Sequence, residues 1–174
     1  MERVVFSRNE LGRIKKADMT RMKNLLNVTL EMGRDFVSVK SGKNDSFDEY
    51  IAMSIIEAVG FGFDIDRALL LRDTEHILRK IDLKSDKRTS ATIGRLIGTQ
   101  GRTKRALEFK SGCEIVINDH EVGILGKAGD VEVTSKAIMA IIRGAPQGKA
   151  VSGLEKDKAR VRRIEEDVED FIDK

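Results

Sequence analysis

Hydrophobic and polar residues along this chain form two kinds of pattern, one typical of β-strands and one typical of α-helices. The same succession of strand and helix patterns occurs twice, once in each half of the chain. Short runs rich in β-branched residues predict strands, whereas apolar residues three or four positions apart predict helices. In the first half, Met19, Met22, Leu25 and Leu26 fall on one helical face. The elements predicted there are a strand at 3–7, that helix, strands at 27–32 and 35–40, a helix ending near 59 and a short helix ending at 71.

The longer helix of the first half has a start signal, an apolar stripe and a stop signal. Asp45 or Ser46 provides its N-cap, and Asp64 the N-cap of the short helix that follows. The segment Gly60-Phe61-Gly62-Phe63 ends the longer helix. Its predicted buried residues are Ile51, Ile55, Ala58 and Val59.

The second half repeats the same order of elements. They are predicted as a strand at 77–83, helices at 90–97 and 103–110, strands at 114–118 and 122–125 around a turn at Asp119-His120, and a helix at 131–143 that ends at Gly144-Ala145-Pro146. A tail at 154–172 carries apolar residues spaced 3, 4 and 3, which predicts an amphipathic helix docked on the body. These residues are Val161, Ile164, Val168 and Phe171. Each half therefore has the order β-α-α-β-β-α, which predicts an α+β protein with one unit at 1–73 and another at 74–174.

The composition excludes several classes of protein. Hydrophobic residues make up 40% of the chain, and no apolar run reaches the roughly 18 to 20 residues that cross a bilayer. The single cysteine, Cys113, cannot form an internal disulfide, which fits a reducing cytoplasm. The two histidines, His76 and His120, lie far apart, so no cluster has zinc-ligand spacing. We therefore expect a cytoplasmic protein without a metal, a cofactor or a membrane segment.

Positive charge is concentrated in one window of the sequence. Residues 79–110 contain ten Lys or Arg against three acids, a net charge of +7 in a chain whose total is +3. The rest of the chain therefore carries −4. A basic patch on a nearly neutral protein indicates a polyanion partner, although charge alone fits a solvated surface equally well.

The segment Gly98-Thr99-Gln100-Gly101, between two predicted helices, is the most informative stretch of the window. A glycine at each end lets the backbone approach a ligand, and amides at the start of the next helix favour anions. The basic residues that follow the loop can neutralise phosphates. Nearby apolar residues, Leu107 among them, are predicted to line a groove on which bases lie. The predicted RNA contacts are Gly98, Thr99, Gln100, Gly101, Arg95, Ile97, Arg102, Lys104, Arg105, Ile115 and Ile117.

A G-x-x-G pattern is weak evidence by itself, because the chain has 15 glycines and glycine often only marks a turn. The context makes the functional interpretation the stronger one. An isoleucine precedes the loop, a basic run follows it, and the predicted element order surrounds it. No Walker-type Gly-Lys-Ser/Thr ending occurs between Gly94 and Gly101.

The loop and its surroundings resemble a type I KH domain. A longer set of segments resembles the archaeal two-KH ribosome-assembly proteins, relatives of the eukaryotic pre-rRNA processing factor that partners the Nob endonuclease. These segments are 101–108, Ser111-Gly112-Cys113, Val122-Gly123-Ile124-Leu125-Gly126, 62–69 and 143–148. The resemblance covers nearly the whole chain and is strongest from about 60 to 148.

The resemblance implies two tandem type I KH domains packed together, with a C-terminal amphipathic helix. It implies binding of single-stranded small-subunit ribosomal RNA near its 3′ end by the second domain. It also implies contact with the Nob endonuclease and with the alpha subunit of an archaeal initiation factor.

Two features depart from the general KH pattern. Lys104 stands where many KH domains have an apolar residue. The ribosome-assembly family also tends to have a basic residue at this position, so Lys104 favours that family over a generic KH domain. The segment 11–18 of the first unit contains no G-x-x-G and is about three residues short. We therefore expect the first unit to be a degenerate KH domain that serves as a scaffold or a protein-contact surface.

Three alternatives differ in what they predict. A subunit of an RNA degradation complex would share the loop but would not prefer the ribosomal RNA 3′ end. A protein-interaction adaptor would have lost RNA binding. An enzyme ranks last, because Cys113 opens an apolar strand, where a buried thiol is expected, and the pairs Asp64/Asp66 and Asp167/Asp170 have no partner acid or base in sequence.

Overall fold

The computed structural model describes residues 2–41, 46–83, 89–118 and 120–172, with only the backbone at 46 and 165–172. Its contacts divide the chain into two compact units, Met1–Leu78 and Arg79–Lys174. The predicted boundary, between 73 and 74, lies a few residues earlier. The predicted contributions of Asp45, of the Ser46 side chain, of Asp119 to its turn, and of the Asp167, Val168, Asp170 and Phe171 side chains lie outside the described residues.

The first unit has the predicted order of elements, with the first helical stretch divided in two. Its elements are β1 (Glu2–Val5), α1 (Arg8–Arg13), α2 (Lys16–Leu26), β2 (Val28–Met32), β3 (Phe36–Ser41), α3 (Ser46–Phe61) and α4 (Ile65–Ala68), followed by a 3-10 turn at Leu69–Arg72. The sheet has the order β1-β3-β2 and both pairings are antiparallel. Val37 and Val39 of the central strand are fully buried, as expected for β-branched residues beneath helices.

The helices of the first unit supply its core. Met19, Met22 and Leu26 of α2 are buried as predicted, whereas Leu25 is exposed because it lies off the buried face of the helix. All four residues of the predicted α3 stripe are buried. The helix continues to Phe61, two residues beyond the predicted end, so Gly60 lies within its last turn. The Asp64 carboxylate accepts a hydrogen bond from the Asp66 amide, which confirms the predicted cap of α4.

The second unit repeats the topology of the first. Its elements are β4 (His76–Asp82), α5 (Thr89–Ile97), α6 (Arg102–Ser111), β5 (Glu114–Ile117), β6 (Glu121–Lys127), α7 (Ala128–Ile142) and α8 (Gln147–Ile172). The first three residues of β4 precede the boundary between the units, and the strand belongs to the sheet of the second unit. The sheet order β4-β6-β5 matches β1-β3-β2: in each sheet the strand that comes last in the sequence lies in the middle. Leu96, Leu107, Ile115, Ile124 and Ile138 are among the buried residues that join its helices to its sheet.

Helix α8 begins seven residues earlier than predicted. Pro146 precedes it, and the Ala150 amide donates to the Pro146 carbonyl at 3.1 Å, so the proline sits at the start of the helix, where its missing N–H costs nothing. Ala150 and Leu154 are buried and Val161 packs beside them. Ile164 is 54% exposed, which corrects its predicted docking. Among the helices in the described ranges, none has the length and apolar character that a membrane crossing requires.

Candidate nucleic-acid interface

The turn between α5 and α6 has an unusual backbone. A 3-10 turn at Thr99–Gly101 joins the two helices, and three of the four loop residues have positive φ. The values are +73° at Gly98, +52° at Gln100 and +76° at Gly101. A β-carbon on Gly98 would lie 2.2 Å from Thr103 Oγ1 and 2.9 Å from the Thr103 amide nitrogen. Glycine is therefore required at Gly98 by both conformation and space.

The loop leaves two backbone amides for a ligand. The Gly98 amide donates to the Gly94 carbonyl at 2.8 Å and the Gly101 amide to the Gly98 carbonyl at 3.1 Å. The Arg102 amide donates to the Thr99 carbonyl. Within the described part of the chain, the amides of Thr99 and Gln100 have no such acceptor. Successive amides of this kind in an exposed turn form a concavity that favours an anion.

Gln100 is held in a conformation that non-glycine residues seldom adopt. The Arg105 guanidinium donates to the Gln100 carbonyl at 2.6 Å, across one turn of α6. This hydrogen bond ties the tip of the loop to the helix, so the loop is fixed before any ligand arrives. Such pre-organised strain is typical of binding sites.

The three cations after the loop have different surroundings. Arg102 is exposed, and among the described residues its side chain has no hydrogen-bond or ion-pair partner. Arg105 is exposed and bonded to the loop. Lys104 is half-buried, and its Nζ lies 2.7 Å from Glu108 Oε1. Arg102 is therefore the cation freest to meet a phosphate beside the loop.

Glu108, which sequence reasoning did not select, links α6 to the outer strand β5. Its Oε1 accepts from Lys104 and also from the Ile115 amide at 2.9 Å. The Asn118 amide donates to the Glu121 carbonyl, so Ile115 and Ile117 turn their main-chain groups away from β6 by alternation. The i, i+4 spacing of Lys104 and Glu108 was the one sequence signal for this pair.

Comparison with known proteins identifies the domain that this loop belongs to. The model of the eukaryotic-type, type I KH domain that stands second in Pno1 matches residues 75–159. The second unit is a KH domain of the Pno1 type. Strand β4, the α5–loop–α6 turn, the β5–β6 hairpin and α7 are its elements, together with the first half of α8.

The relatives include archaeal and eukaryotic proteins. A KH domain-containing protein of Methanocaldococcus jannaschii is 28% identical over 159 residues, which cover 87% of this chain and 68% of that protein. The pre-rRNA-processing protein pno1 of Emericella nidulans is 36% identical over 114 residues, which cover 62% of this chain and 44% of that protein. The match thus spans less than half the length of the fungal relative.

A solved structure supports the fold over most of the chain. A chain of the a/eIF2alpha–Dim2p–rRNA complex of Pyrococcus horikoshii has a TM-score of 0.82 and 26% identity. The superposition covers 91% of this chain and 94% of that one. The predicted α+β fold with KH topology is therefore confirmed, and so is the predicted resemblance to the archaeal and eukaryotic ribosome-assembly proteins.

Two apolar residues predicted to line the groove of the Pno1-type domain are core residues instead. Ile115 is 1% exposed and Leu107 is equally buried, because both lie between α6, the sheet and α7. Ile97, at the end of α5, is exposed, and Ile117 is half-buried. The apolar surface beside the loop therefore consists of Ile97 and Ile117.

Arg95, which was predicted to contact RNA, makes hydrogen bonds within the second unit. Its guanidinium donates to the Ala145 carbonyl and its own carbonyl accepts from Gln147 Nε2, both at 2.6 Å. These bonds join the last turn of α5 to the connection between α7 and α8. Arg95 thus supports the helix that leads into the loop, and its side chain is already engaged.

A cavity of about 360 Å³ lies between α6 and the start of α8 in the Pno1-type domain. Thr99 and Arg102 stand at its loop end, and Lys110 lies farther along. Lys110 Nζ is 2.5 Å from Glu155 Oε1, so its charge is partly neutralised. The cavity leaves the loop open on the side that faces α8.

Cys113 is the buried thiol that was predicted. It is 3% exposed, and burial raises the pKa of its thiol above the ordinary value. A thiol that stays protonated at neutral pH is a poor nucleophile. Cys113 instead lies against Gly126 of β6 and accepts from Thr134 Oγ1 at 3.6 Å.

In the first unit, the connection between α1 and α2 corresponds to the loop between α5 and α6, and it has a different structure. Helices α1 and α2 are joined by Ile14 and Lys15, both in extended conformation, and Ile14 is buried. The Ile14 amide donates to the Leu11 carbonyl and the Lys15 amide to Asp18 Oδ2. No residue of this connection has positive φ. The missing G-x-x-G therefore corresponds to a connection whose amides are already bonded.

Replacing Glu108 by alanine is expected to lower the free energy of unfolding of the second unit by about 1–3 kcal/mol, because the buried Ile115 amide loses its acceptor. Glu108→Gln keeps an acceptor oxygen and should lose less than half as much. Urea unfolding followed by circular dichroism measures both. Equal losses in the two variants would mean that the hydrogen bond to β5 contributes nothing.

Proposed function

We propose that this protein binds single-stranded RNA by clamping its backbone in the Gly98-Thr99-Gln100-Gly101 loop. The observation that carries this proposal is the pair of amides at Thr99 and Gln100, which lie beside the Arg102 guanidinium. None of these three groups has a hydrogen-bond partner among the residues that the structure describes. Together they offer a phosphate two hydrogen bonds and one positive charge in a loop fixed beforehand. Pre-organisation of this kind lowers the entropy cost of binding.

Bases of the bound strand lie on the β5 side of the loop. Ile97 and Ile117 supply apolar contact there, and the outward main-chain groups of Ile117 supply hydrogen bonds to base edges. Backbone contacts give most of the affinity, whereas the base edges give the sequence preference. A folded duplex would hide those edges, so the preferred ligand is single-stranded.

The biological ligand in this proposal is small-subunit ribosomal RNA near its 3′ end, held during ribosome assembly. Two facts about relatives support it: the fungal relatives are pre-rRNA-processing proteins, and a structurally similar chain was solved with rRNA. The same complex contains a/eIF2alpha, which supports an initiation-factor alpha subunit as a partner. The Nob endonuclease is a further proposed partner, and any cleavage is assigned to it because the proposed role of this chain is positioning.

The test is a binding titration with a short RNA that matches the small-subunit rRNA 3′ end, next to a scrambled RNA and a duplex. Wild type should bind the matching single strand most tightly. With one or two phosphates neutralised, by Arg102 and at most Arg105, the logarithm of the affinity should fall with the logarithm of the salt concentration with a slope of about −0.7 to −1.4. Fluorescence anisotropy at several salt concentrations measures both quantities.

The outcomes separate the alternatives. Equal affinity for the matching and scrambled strands would favour a subunit of an RNA degradation complex. Absence of binding to every RNA at low salt would contradict the proposal and favour a protein-interaction adaptor.

A further inference from the structure

Phe109 is the most exposed of the large hydrophobic side chains that the structure describes. It lies in the last turns of α6 and is 90% exposed. The rest of α6 follows the usual pattern, with Thr103, Leu107 and Ser111 buried on the opposite side. An aromatic ring that is almost fully exposed to water does not contribute the burial that stabilises a fold, and such rings commonly mark binding surfaces.

The ring shares its helical face with two cations of the loop. Arg105 precedes Phe109 by four residues and Arg102 by seven, and this spacing places all three on one stripe of α6. Arg105 is bonded to the Gln100 carbonyl, so the stripe starts at the clamp. At 1.5 Å per residue, Phe109 lies about 10 Å along the helix axis from Arg102.

The charge of this stripe favours a polyanion over an apolar protein segment. Arg102 and Arg105 are exposed on it, whereas Glu108, the acidic residue of α6, turns toward β5 and is engaged by Lys104 and the Ile115 amide. Guanidinium groups beside an exposed aromatic ring form the surface on which single-stranded nucleic acids stack.

We infer that the outer face of α6 is a second RNA contact, in which Phe109 stacks on a base of the strand that continues beyond the clamp. Arg102 and Arg105 follow the backbone between the clamp and that base. This inference rests on the proposed function, since it extends the same bound strand. It adds an element that the G-x-x-G loop does not imply: affinity that grows with RNA length beyond the clamped nucleotides.

The decisive experiment uses tryptophan, which the chain lacks. Phe109→Trp places one indole on the stripe, and Val5→Trp places a matched indole in the first unit, where Val5 is 74% exposed. Each variant is titrated with a four-nucleotide RNA, the length that a G-x-x-G loop clamps, and with the same RNA extended by about four nucleotides at each end. The extended RNA should quench the indole at position 109 and leave the one at position 5 unchanged.

Affinity gives the second readout. Phe109→Ala should bind the extended RNA about tenfold more weakly than wild type and bind the four-nucleotide RNA equally well, in line with the loss of one stacked base. Extended RNAs with single abasic positions should identify one position at which wild type becomes as weak as the variant.

The contrary outcomes are distinct. Unchanged affinity of Phe109→Ala for both RNAs, or quenching at position 109 that persists with every abasic RNA, would overturn this inference and leave the clamp intact. Capture of a protein partner by Phe109, with no effect on RNA, would also overturn it. Failure of wild type to bind either RNA would overturn the proposed function as well.

Discussion

Replacing Thr99 and Gln100 together by aspartate is expected to lower the affinity for single-stranded RNA at least tenfold, about 1.4 kcal/mol. Both side chains are exposed at the tip of the loop, next to the two amides that await a phosphate. Two carboxylates there would repel that phosphate and attract Arg102 instead. Aspartate tolerates the left-handed conformation that Gln100 adopts, so the backbone of the loop should persist.

The matched control replaces the same two residues by asparagine. Thr99→Asn with Gln100→Asn has nearly the shape of the aspartate variant and no charge, so its affinity should stay within about threefold of wild type, less than the 1.4 kcal/mol of a tenfold change. Thermal unfolding followed by circular dichroism should give the same midpoint for all three proteins. The difference between the two variants should shrink as salt rises, because exposed charges are screened. If the aspartate variant binds RNA as well as the asparagine variant, the loop does not hold a phosphate.

The order of the elements could be predicted because each element carries its own periodicity. Ile51, Ile55, Ala58 and Val59 repeat at helical spacing, and all four are buried. The start of α8 was not predicted, because its first turns lack such a periodicity. Its first turns contain Gly148 and Gly153 and bury only small or widely spaced side chains, so local hydrophobicity did not mark them.

The site was predictable where it depends on local backbone and unpredictable where it depends on long-range contacts. The two glycines of the loop, Gly98 and Gly101, are only three positions apart in sequence, and their conformation follows from the turn they form. Arg95, in contrast, is engaged by Ala145, fifty residues later. Glu108 meets Ile115 only because α6 lies against the outer strand. No periodicity within α5 or α6 contains that information.

Residues on the same face of a strand can also differ in burial. Ile115 and Ile117 lie on the same face of β5 by alternation, and sequence reasoning placed both at the groove. The structure covers Ile115 with α6 and α7 and leaves Ile117 half-exposed nearer the end of the strand. Phe109 is the reverse case, since an aromatic residue in a helix is usually expected in the core.

The second large effect is expected from Gly98→Ala, which should lower the free energy of unfolding of the second unit by about 2–4 kcal/mol and the RNA affinity at least tenfold. Its backbone combines φ +73° with ψ 174°, a region that essentially only glycine occupies. The added carbon would also lie 2.9 Å from the Thr103 amide nitrogen, an atom of α6 that cannot rotate away. The first turn of α6 would therefore have to move, and with it the amides of the clamp.

Two nearby glycines provide graded controls for Gly98→Ala. Gly94 lies within α5 with no atom within 4 Å of an added β-carbon, so Gly94→Ala should raise stability by about 0.5–1 kcal/mol and leave RNA binding unchanged. Gly101 has φ +76° but only Arg105 Nε nearby, at 3.9 Å, so Gly101→Ala should cost about 1–2 kcal/mol from conformation alone. Urea unfolding and RNA titration of the three variants should rank them Gly94, Gly101 and Gly98 in order of increasing damage. The contrary outcome is a Gly98→Ala protein that is as stable as Gly94→Ala and binds RNA as tightly. In that case the strain and the close contact at Gly98 would have been relieved without moving the amides. RNA binding would then not require the loop geometry described above.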